Sequence, residues 1–239
     1  DNEELACPPW TSLRALEQAS FQLEMNANDD PITLKWLNML ISPGASLGGA
    51  RPKASVVDPK GNLWIAKFPS RQDTCDVGAW ERVVNELAVQ AGLNVAEGMT
   101  KALSKPYRTY LTKRFDRKKD RRIHFASAMT LLGYHDGDGH DTGVSYVELA
   151  EFLMQHGAQT DQDIEELWRR IVFYIGVSNA DDHLRNHGFL LTDRGWILSP
   201  AYDINPVPTA HGLSLNINEN DNSLALDLAM EVIPFFRLS

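Results

Sequence analysis

Apolar residues recur at helical spacing over the first forty residues of the chain, and Asp30-Pro31 interrupts them. Spacings of three and four residues place apolar side chains on one face of a helix. The pattern therefore predicts two helices between residues 10 and 41, one on each side of the break. The apolar positions that define them are Leu13, Leu16, Phe21 and Leu23, then Leu34, Leu37 and Leu40.

Short apolar runs typical of strands follow a loop rich in glycine and proline. They predict strands at 54–57 and 63–68, joined by the turn Asp58-Pro59-Lys60-Gly61. Residues 78–91 return to helical spacing and stop before Gly92, a residue type that commonly ends helices. Further strands are predicted at 107–115 and 122–126.

Helical patterns dominate from about residue 127 onward. The predicted elements are helices at 145–156, 161–177 and near 223–233, and a hairpin of two runs at 188–191 and 196–198. This order predicts an α+β fold of two lobes. The smaller N-terminal lobe, residues 1–126, would mix sheet and helix, and the C-terminal lobe, residues 127–239, would be mainly helical.

Composition and charge narrow the classes of function. The 239 residues are 43% hydrophobic, enough for a substantial core, and carry a net charge of −9. The acidic balance argues against direct binding of nucleic acid. No apolar run reaches the length of a membrane span and the first residues lack a signal-peptide pattern, so we expect a cytoplasmic protein without a membrane partner. Cys7 and Cys75 are too few for a disulfide framework and lack zinc-site spacing.

Three polar residues in the C-terminal part have a spacing that suits phosphoryl transfer. Asn186 follows Asp181 by five residues, and Asp203 comes after the predicted hairpin, which would return it beside Asn186. Transfer of a γ-phosphoryl group uses one carboxylate that orients the acceptor hydroxyl and takes its proton. It also uses an Asn and an Asp that hold Mg²⁺ against the nucleotide phosphates. On these three residues alone, ordinary loop positions that cap and turn the chain remain an alternative interpretation.

A glycine-rich loop and a lysine among apolar residues precede this motif. Gly48 and Gly49 lie just before the first predicted strand, and a glycine-rich backbone can turn its N–H groups toward phosphate. The loop matches neither common phosphate-binding glycine pattern, so a plain surface loop is the alternative. Lys67 in the second strand needs an anionic partner, for which the next helix offers Glu81 and Glu86. An edge position of Lys67 would be the simpler explanation, but the order of loop, lysine, glutamate and Asp/Asn motif favours an ATP site.

Four blocks of sequence together resemble the HipA-like serine/threonine kinase family. They are residues 46–54, 63–70, 179–186 and 200–203, and the resemblance extends over roughly residues 40–235. It implies a two-lobed protein-kinase-like fold, use of ATP with Mg²⁺, and phosphorylation of a protein serine or threonine. Characterised members act as bacterial toxins on aminoacyl-tRNA synthetases and are neutralised by a small DNA-binding antitoxin. A synthetase substrate and a helix-turn-helix antitoxin partner are therefore implied.

The resemblance also implies roles for single residues. Asp181 corresponds to the catalytic base, and Asn186 and Asp203 to the metal ligands. Lys67 corresponds to the lysine on the ATP phosphates, and Glu81 has the spacing of its helix partner. The other residues assigned to the ATP site are Ser46, Gly48, Gly49, Ala50, Lys53 and His183, the last as an organiser of the catalytic loop.

The resemblance further implies regulation, and it leaves other functions open. Ser46 lies where members carry an autophosphorylated serine, and a phosphate there would add about two negative charges and displace the loop from the nucleotide site. The family's N-terminal subdomain and last C-terminal helices have no counterpart, so we expect a fragment of a longer protein. A small-molecule kinase of the aminoglycoside or choline type is an alternative, although the block at 48–53 argues against it. A catalytically weak ATP-binding co-repressor that acts with its antitoxin is another.

Two charged segments have no role in this scheme. Segment 135–141 is rich in His and Asp, but an EF-hand would need a glutamate where this chain has Val147, so we predict a solvated loop. Segment 114–122 carries six basic and two acidic residues. We predict a hairpin tip in solvent, with docking of a partner or substrate as the alternative.

Overall fold

The computed structural model describes residues 7–24, 40, 51–104, 106–118 and 121–238. Two compact units can be distinguished in it. The first unit contains described residues within 1–83 and 97–120, and the second contains residues 84–96 and those from 121 onward. The division into functional lobes at residue 126 stays a prediction.

A four-stranded antiparallel sheet forms the centre of the first unit. Its strands are β1 (Lys53–Val57), β2 (Leu63–Lys67), β3 (Gly98–Lys101) and β4 (Thr109–Lys113), in the spatial order β1, β2, β4, β3. The predicted strands of β1, β2 and β4 are confirmed. β3, with the sequence Gly-Met-Thr-Lys, has no apolar alternation and is not among the predicted strands. Because β2 pairs with β1 on one side and β4 on the other, it is an interior strand.

The predicted turn between β1 and β2 is confirmed, and hydrogen bonds to its first residue close it. The carbonyl of Asp58 accepts a hydrogen bond from the N–H of Gly61 at 3.0 Å, and Gly61 has a φ of 82°, which favours glycine. The Asp58 carboxylate accepts further bonds from the backbone N–H groups of Lys60 and Asn62, both at 2.8 Å. Desolvation pushes the pKa of Asp58 upward, but hydrogen bonds from Asn62, Trp64 and Lys60 outweigh it and lower the pKa to about 2.

The sheet packs against the first predicted helix, which spans Leu13–Glu24 and is named α1. The polar Glu17 is also buried here, and its Oε1 accepts a hydrogen bond from Thr109 Oγ1 at 2.7 Å. The second predicted helix lies outside the described residues except for Leu40, which is helical and buried. The buried apolar residues of this core are Leu13, Leu16, Ala19, Leu40, Ala54, Val56, Trp64, Ala66, Phe68 and Leu111.

The helix after the sheet's first hairpin, α2, spans Val77–Gln90 and confirms the predicted helix and its end. At its start, Asp76 Oδ1 accepts the N–H of Ala79 at 3.0 Å. At its end, Gly92 has a φ of 80°, and the N–H of Leu93 reaches back to the carbonyl of Ala88 at 3.0 Å. A glycine in the left-handed conformation closes helices in this way.

The later elements comprise two long helices, a three-stranded sheet and several short pieces. In chain order they are β5 (Arg117–Lys118), β6 (Arg121–Arg122), β7 (Phe125–Ser127), α3 (Ala128–Leu132), α4 (Tyr146–His156), α5 (Thr160–Val177), β8 (Gly188–Thr192), β9 (Gly195–Leu198) and α6 (Leu226–Glu231). β8 pairs with β9, which confirms the predicted hairpin, and it also pairs with β7. The ranges of α4 and α5 confirm the two predicted long helices. The predicted strand at 122–126 is wrong in its bounds, since two shorter strands replace it. The last helix is also shorter than predicted, because Pro234 follows and the chain continues as a 3₁₀ turn, Ile233–Phe236.

The core of the second unit contains one fully buried guanidinium. Arg170 is 1% exposed and lies on α5, where its Nε donates to Glu166 Oε1 at 2.9 Å. A guanidinium nitrogen also donates to the carbonyl of Ser199 at 2.7 Å. A buried charge is tolerated when it is paired and hydrogen-bonded. Arg170 therefore ties α5 to the segment that leads into Asp203.

The predicted solvated segments are only partly solvated. Arg121 and Arg122 are exposed, but Arg114 and Arg117 both bind the carboxylate of Asp116, which is buried. The prediction of a solvent-facing tip is therefore wrong for the first half of this run, because Asp116 pairs with its arginines. Most residues of segment 135–141 are exposed, as predicted. Among the helices that the structure describes, none has the length and apolar character to cross a membrane.

Candidate active site

Lys67 and Glu81 form a buried ion pair within the first unit. Lys67 is the last residue of β2 and is 7% exposed, while Glu81, on the first turns of α2, is 4% exposed. Lys67 Nζ donates to Glu81 Oε1 and lies 5.7 Å from the ring centroid of Tyr110 on β4. Because β2 is an interior strand, the alternative that Lys67 lies at the edge of the sheet is wrong. Of the two candidate glutamates, the structure joins Glu81 to the lysine, and Glu86 is exposed.

A second lysine lies directly opposite the first. Lys53, the first residue of β1, pairs in register with Lys67. Opposed residues of an antiparallel pair point to the same face of the sheet, and like charges in that position repel each other. The two lysines therefore place positive charge at the same end of the sheet, and Glu81 offsets the charge of Lys67.

Arg51, just before β1, is hydrogen-bonded to Asp73, which follows β2. The guanidinium of Arg51 makes two hydrogen bonds to the carboxylate of Asp73, one of them 3.0 Å long. Asp73 Oδ2 also accepts the N–H of Ser70 at 2.8 Å. A bidentate pair of this kind fixes orientation as well as distance. Ser46, Gly48, Gly49 and Ala50 of the loop itself lie outside the described residues.

The loop after α5, residues 178–187, carries Asp181 and Asn186 in the second unit. Asp181 is exposed, and Asn186 is buried. Asn186 Nδ2 donates to the carbonyl of Asp181 at 2.7 Å, and the N–H of Asn186 donates to the carbonyl of His183 at 2.8 Å. These bonds close the loop into a compact turn. They also fix the Asn186 amide with its nitrogen toward Asp181, which turns its oxygen the other way.

Asp203 follows the β8–β9 hairpin and is bonded to the same loop through its neighbours. Asn205 Nδ2 donates to Asp203 Oδ1 at 3.0 Å, while the N–H of Asn205 donates to Asn179 Oδ1 at 2.9 Å. Tyr202 Oη donates to the carbonyl of Arg185 at 2.6 Å. The structure thus brings the two loops with the predicted triplet together.

The two loops also contain unusual backbone conformations. Ser178 has a φ of 53° and Asp203 a φ of 58°, in the left-handed region that residues other than glycine rarely adopt. Such conformations cost free energy and persist where surrounding contacts enforce them, often at functional sites. The N–H of Val207 donates to the carbonyl of Ser178 at 2.9 Å and supplies one of these contacts.

A buried polar cluster that sequence reasoning missed packs against the loop 178–187 on its buried side. Asp182 is buried, and its Oδ2 accepts a hydrogen bond from the hydroxyl of Tyr146 on α4. His187 Nε2 lies 2.9 Å from the same oxygen, and the Tyr146 and His187 rings pack edge to face at 5.5 Å. Burial, followed by the Asp182 charge, raises the pKa of Tyr146 well above its ordinary value. The phenol therefore stays a hydrogen-bond donor beside Asp182.

The sequence profile of the HipA-like C-terminal domain matches residues 45–234. This chain belongs to the HipA-like C-terminal domain family. The resemblance stated from the four sequence blocks is thereby confirmed.

Two curated relatives of this HipA-like domain are candidate kinases. Y4dM of Sinorhizobium fredii is 29% identical over 183 residues, which cover 70% of this chain and 44% of that protein. A Haemophilus influenzae protein is 26% identical over 186 residues, which cover 69% of this chain and 54% of that protein. The chain therefore spans about half the length of these relatives.

Two solved structures share the fold of the HipA-like domain. HipA of Shewanella oneidensis MR-1, from a toxin–antitoxin complex with HipB and operator DNA, has a TM-score of 0.65 at 22% identity and covers 81% of this chain and 53% of that chain. The Helicobacter pylori proinflammatory kinase CtkA has a TM-score of 0.58 at 16% identity and covers 82% of this chain and 80% of that chain. At such identities the likeness shows the fold alone, and it confirms the predicted α+β, protein-kinase-like fold.

His183 contributes a backbone hydrogen bond to the loop 178–187 of the HipA-like domain. Its carbonyl accepts the N–H of Asn186, whereas its ring Nδ1 is buried and has no hydrogen-bond partner among the described residues. The predicted role by side-chain hydrogen bonding stays a prediction. Among the described residues there is also no group of three or more His, Cys, Asp or Glu placed to hold a metal ion.

The supporting residues differ in how visible they are in the sequence. Asp182 and His187 are adjacent in the chain to Asp181 and Asn186, and polar residues next to a candidate motif are a usable signal. Tyr146, 36 residues away from Asp182 in the chain, follows only from the fold. Asn205 gives no signal, because an Asn before a proline resembles ordinary turn chemistry.

Proposed function

We propose that this domain is a Mg²⁺- and ATP-dependent protein kinase that phosphorylates a serine or threonine hydroxyl. The observation that carries the proposal is that the loop with Asp181 and Asn186 is hydrogen-bonded to the segment that carries Asp203. The matched family and the candidate kinases among its relatives support a kinase. The serine or threonine specificity and the protein acceptor are our proposals.

Asp181 is the base in the proposed reaction. Its side chain is exposed and can therefore reach an acceptor hydroxyl, while its carbonyl is held by Asn186. The hydroxyl oxygen forms a bond to the γ-phosphorus as the bond from that phosphorus to the β,γ-bridging oxygen breaks. The electron pair of the broken bond leaves with ADP. The hydroxyl proton passes to the Asp181 carboxylate.

Asn186 and Asp203 are the proposed ligands of Mg²⁺. An amide oxygen and a carboxylate are the hard oxygen ligands that this ion prefers, and Mg²⁺ commonly takes only one or two protein ligands beside phosphate and water. The bond from Asn186 Nδ2 to Asp181 leaves the amide oxygen of Asn186 as the donor atom that faces away from the loop. The bound ion would neutralise charge on the phosphates. Asn205 holds Asp203 Oδ1 and so fixes the carboxylate plane.

Lys67 and Lys53 are the proposed phosphate contacts of the first unit. Glu81 holds Lys67 Nζ in place, so the lysine does not have to be ordered when the nucleotide binds. Lys53 adds a second positive charge on the same face of the sheet. Glycines 48 and 49 and Ala50 would cover the phosphates with backbone N–H groups.

Replacement of Asp181 by Asn tests the proposed reaction. The amide keeps the shape of the side chain but cannot accept the proton, so transfer from radiolabelled ATP should fall by about 10²–10⁴-fold. ATP affinity, measured by calorimetry, should stay unchanged. Asp193→Asn, at the exposed tip of the β8–β9 hairpin, is the matched control and should keep full activity. Activity retained in Asp181→Asn would remove this residue from its role.

The proposal extends to regulation and partners. Incubation with Mg-ATP should place a phosphate on Ser46, and mass spectrometry that finds none there would overturn this part. The HipA neighbour was solved with HipB and operator DNA, which supports an antitoxin as partner. The helix-turn-helix class of that partner, and an aminoacyl-tRNA synthetase as a first substrate to try, are what the family resemblance implies. Such a chain would act in the cytoplasm. Label found only in small molecules would favour a small-molecule kinase, and ATP binding without transfer would favour a co-repressor.

A further inference from the structure

The second unit contains a cleft of about 680 Å³ beside the catalytic loop. Its walls come from the loop after α3, residues 135–141, from the catalytic loop and from residues 210–214. Volumes of this size are typical of ligand sites. None of the roles proposed above for Asn186, Asp203 or the lysines uses this cleft.

The cleft is lined by residues on both sides of Asp181 in the chain. Ala180 and His183 both line it, and Asp181 lies between them in the chain and is exposed. Ser214 Oγ donates to the carbonyl of Ala180 at 2.7 Å, so the opposite wall is bonded to the residue before Asp181. A group bound in the cleft would therefore lie close to the base.

Hydrogen bonds hold the walls of the cleft in place. The N–H of His140 donates to the carbonyl of Ser214 at 2.8 Å, and Asn216 Nδ2 donates to the carbonyl of His140 at 3.0 Å. A Cβ at Gly139 would lie 2.8 Å from the carbonyl oxygen of Ser214, so only glycine fits at this approach. The segment 135–141 is thus attached at its far end although most of its side chains face solvent.

The lining is acidic. With histidine counted as neutral, the described residues that line the cleft carry three carboxylates, Asp136, Asp138 and Asp141, and one guanidinium, Arg185. The side chains of Asp136 and Asp141 are 75% and 88% exposed, and Arg185 bonds Asp136 at 2.6 Å. Asp138 is used within the loop, where it accepts the N–H of His135 at 2.7 Å. The surplus of negative charge favours a cationic ligand.

We propose that this cleft binds the acceptor, and that the acceptor is a protein segment with Lys or Arg next to the phosphorylated Ser or Thr. The inference rests on the proposed kinase function. Asp141 and Asp136 contact the basic side chains, and the neighbouring hydroxyl is thereby presented to Asp181. Segment 135–141, expected to be a solvated loop, becomes the wall that selects the acceptor.

Peptide binding without nucleotide tests the cleft independently of catalysis. The probe is a fluorescein-labelled peptide with a serine flanked by arginines, compared with the same peptide flanked by glutamates. Asp136→Lys/Asp141→Lys should weaken binding of the basic peptide by about 5–20-fold in fluorescence anisotropy. The matched control, Asp193→Lys/Glu231→Lys, changes the net charge equally at exposed residues that do not line the cleft, and should keep the affinity. Equal losses in both variants, or equal binding of both peptides, would overturn the proposal.

Phosphate transfer then identifies the acceptor class. With radiolabelled ATP, the basic peptide should be labelled faster than the acidic one, and the preference should vanish in the cleft variant alone. Label on an added aminoglycoside that is lost in the cleft variant would assign the cleft to a small polycation and overturn a protein acceptor. If neither acceptor is labelled but the basic peptide still binds at the cleft, the kinase proposal fails and acceptor binding by this cleft stands as binding only. If transfer occurs without a basic preference, the cleft proposal fails and the kinase proposal stands.

Discussion

The ion pair of the first unit and the loops of the second unit hold reactive groups in opposite ways. Lys67 and Glu81 lie on a strand and a helix, both are buried, and each neutralises the other. Asp181 is exposed on a loop, and its geometry depends on backbone and amide hydrogen bonds and on two residues with positive φ. In a strand or a helix, the backbone hydrogen bonds of the element already hold the position of a charged side chain. Loops need a separate layer of buried polar groups, which here is Asp182, His187 and Tyr146.

The largest expected effect comes from removal of one partner of the buried pair. Lys67→Met leaves the Glu81 carboxylate buried without its lysine, which should cost about 3–5 kcal/mol of unfolding free energy. The double variant Lys67→Met/Glu81→Leu should recover most of that loss. Urea denaturation measures both. Lys113→Met removes a lysine from β4 whose partner Glu97 is largely exposed, and should cost about 0–1 kcal/mol. A loss as small in Lys67→Met would break the contrast between the two regions.

Removal of the supporting carboxylate should affect activity more than stability. Asp182→Asn weakens the acceptor for Tyr146 and His187, at about 1–3 kcal/mol in urea denaturation. A displaced loop should lower kcat by about 10²-fold while the KM for ATP stays unchanged. Tyr146→Phe removes one donor and should give an intermediate kcat. If kcat falls only in proportion to the unfolded fraction, Asp182 has a structural role alone.

The ends of two helices provide a matched pair of smaller effects. α2 ends at Gly92 with a φ of 80°, and α5 ends at Ser178 with a φ of 53°. Gly92→Ala should destabilise the protein by about 1–2 kcal/mol, and Ser178→Gly should stabilise it by about 1 kcal/mol. Thermal unfolding measures both. Gly176→Ala, inside α5 in open space, controls for the entropy of glycine and should stabilise. Loss of stability in Ser178→Gly would show that the serine is not strained.

The smallest expected effect is on the stability of the protein at acidic pH. The pKa of Asp58 is lowered to about 2 from an ordinary 3.8. Its carboxylate therefore stabilises the folded protein at pH values above the ordinary pKa. That contribution is lost as the pH falls from about 4 to about 2. Asp58→Asn should therefore flatten the pH dependence of unfolding in this window. Asp193→Asn controls for the loss of one surface charge. An unchanged slope in Asp58→Asn would show that the turn does not depend on this carboxylate.

The sequence predicted the elements that have their own apolar periodicity better than the elements that depend on a neighbour. Strands β1 and β2 and helices α2, α4 and α5 follow from local periodicity, and Lys67 follows from its place in β2. Periodicity left Glu81 and Glu86 both open as its partner, and the family resemblance favoured Glu81. β3 does not, because a strand that completes a sheet edge is stabilised by its neighbour β4 rather than by its own four residues.

The candidate site divides along the same line. Asp181, Asn186 and Asp203 were predicted as site residues because phosphoryl transfer demands those residue types, and their roles stay a prediction. The contact of Tyr146 with Asp182 depends on how α4 packs beside the loop, which local sequence does not encode. The acidic cleft joins three segments that are far apart in the chain, so its charge is visible only after folding.

The buried guanidinium of Arg170 also allows opening of the second unit to be detected by chemical modification. Arginine-selective reagents such as phenylglyoxal, and trypsin, need access to that side chain, which its bonds to Glu166 and Ser199 deny. Modification at residue 170 would therefore time the opening of the segment that precedes Asp203. A mass-spectrometric count of that adduct, compared with adducts at the exposed Arg121 and Arg122, would follow loosening of the loop that carries Asp203 under conditions where activity is too low to measure.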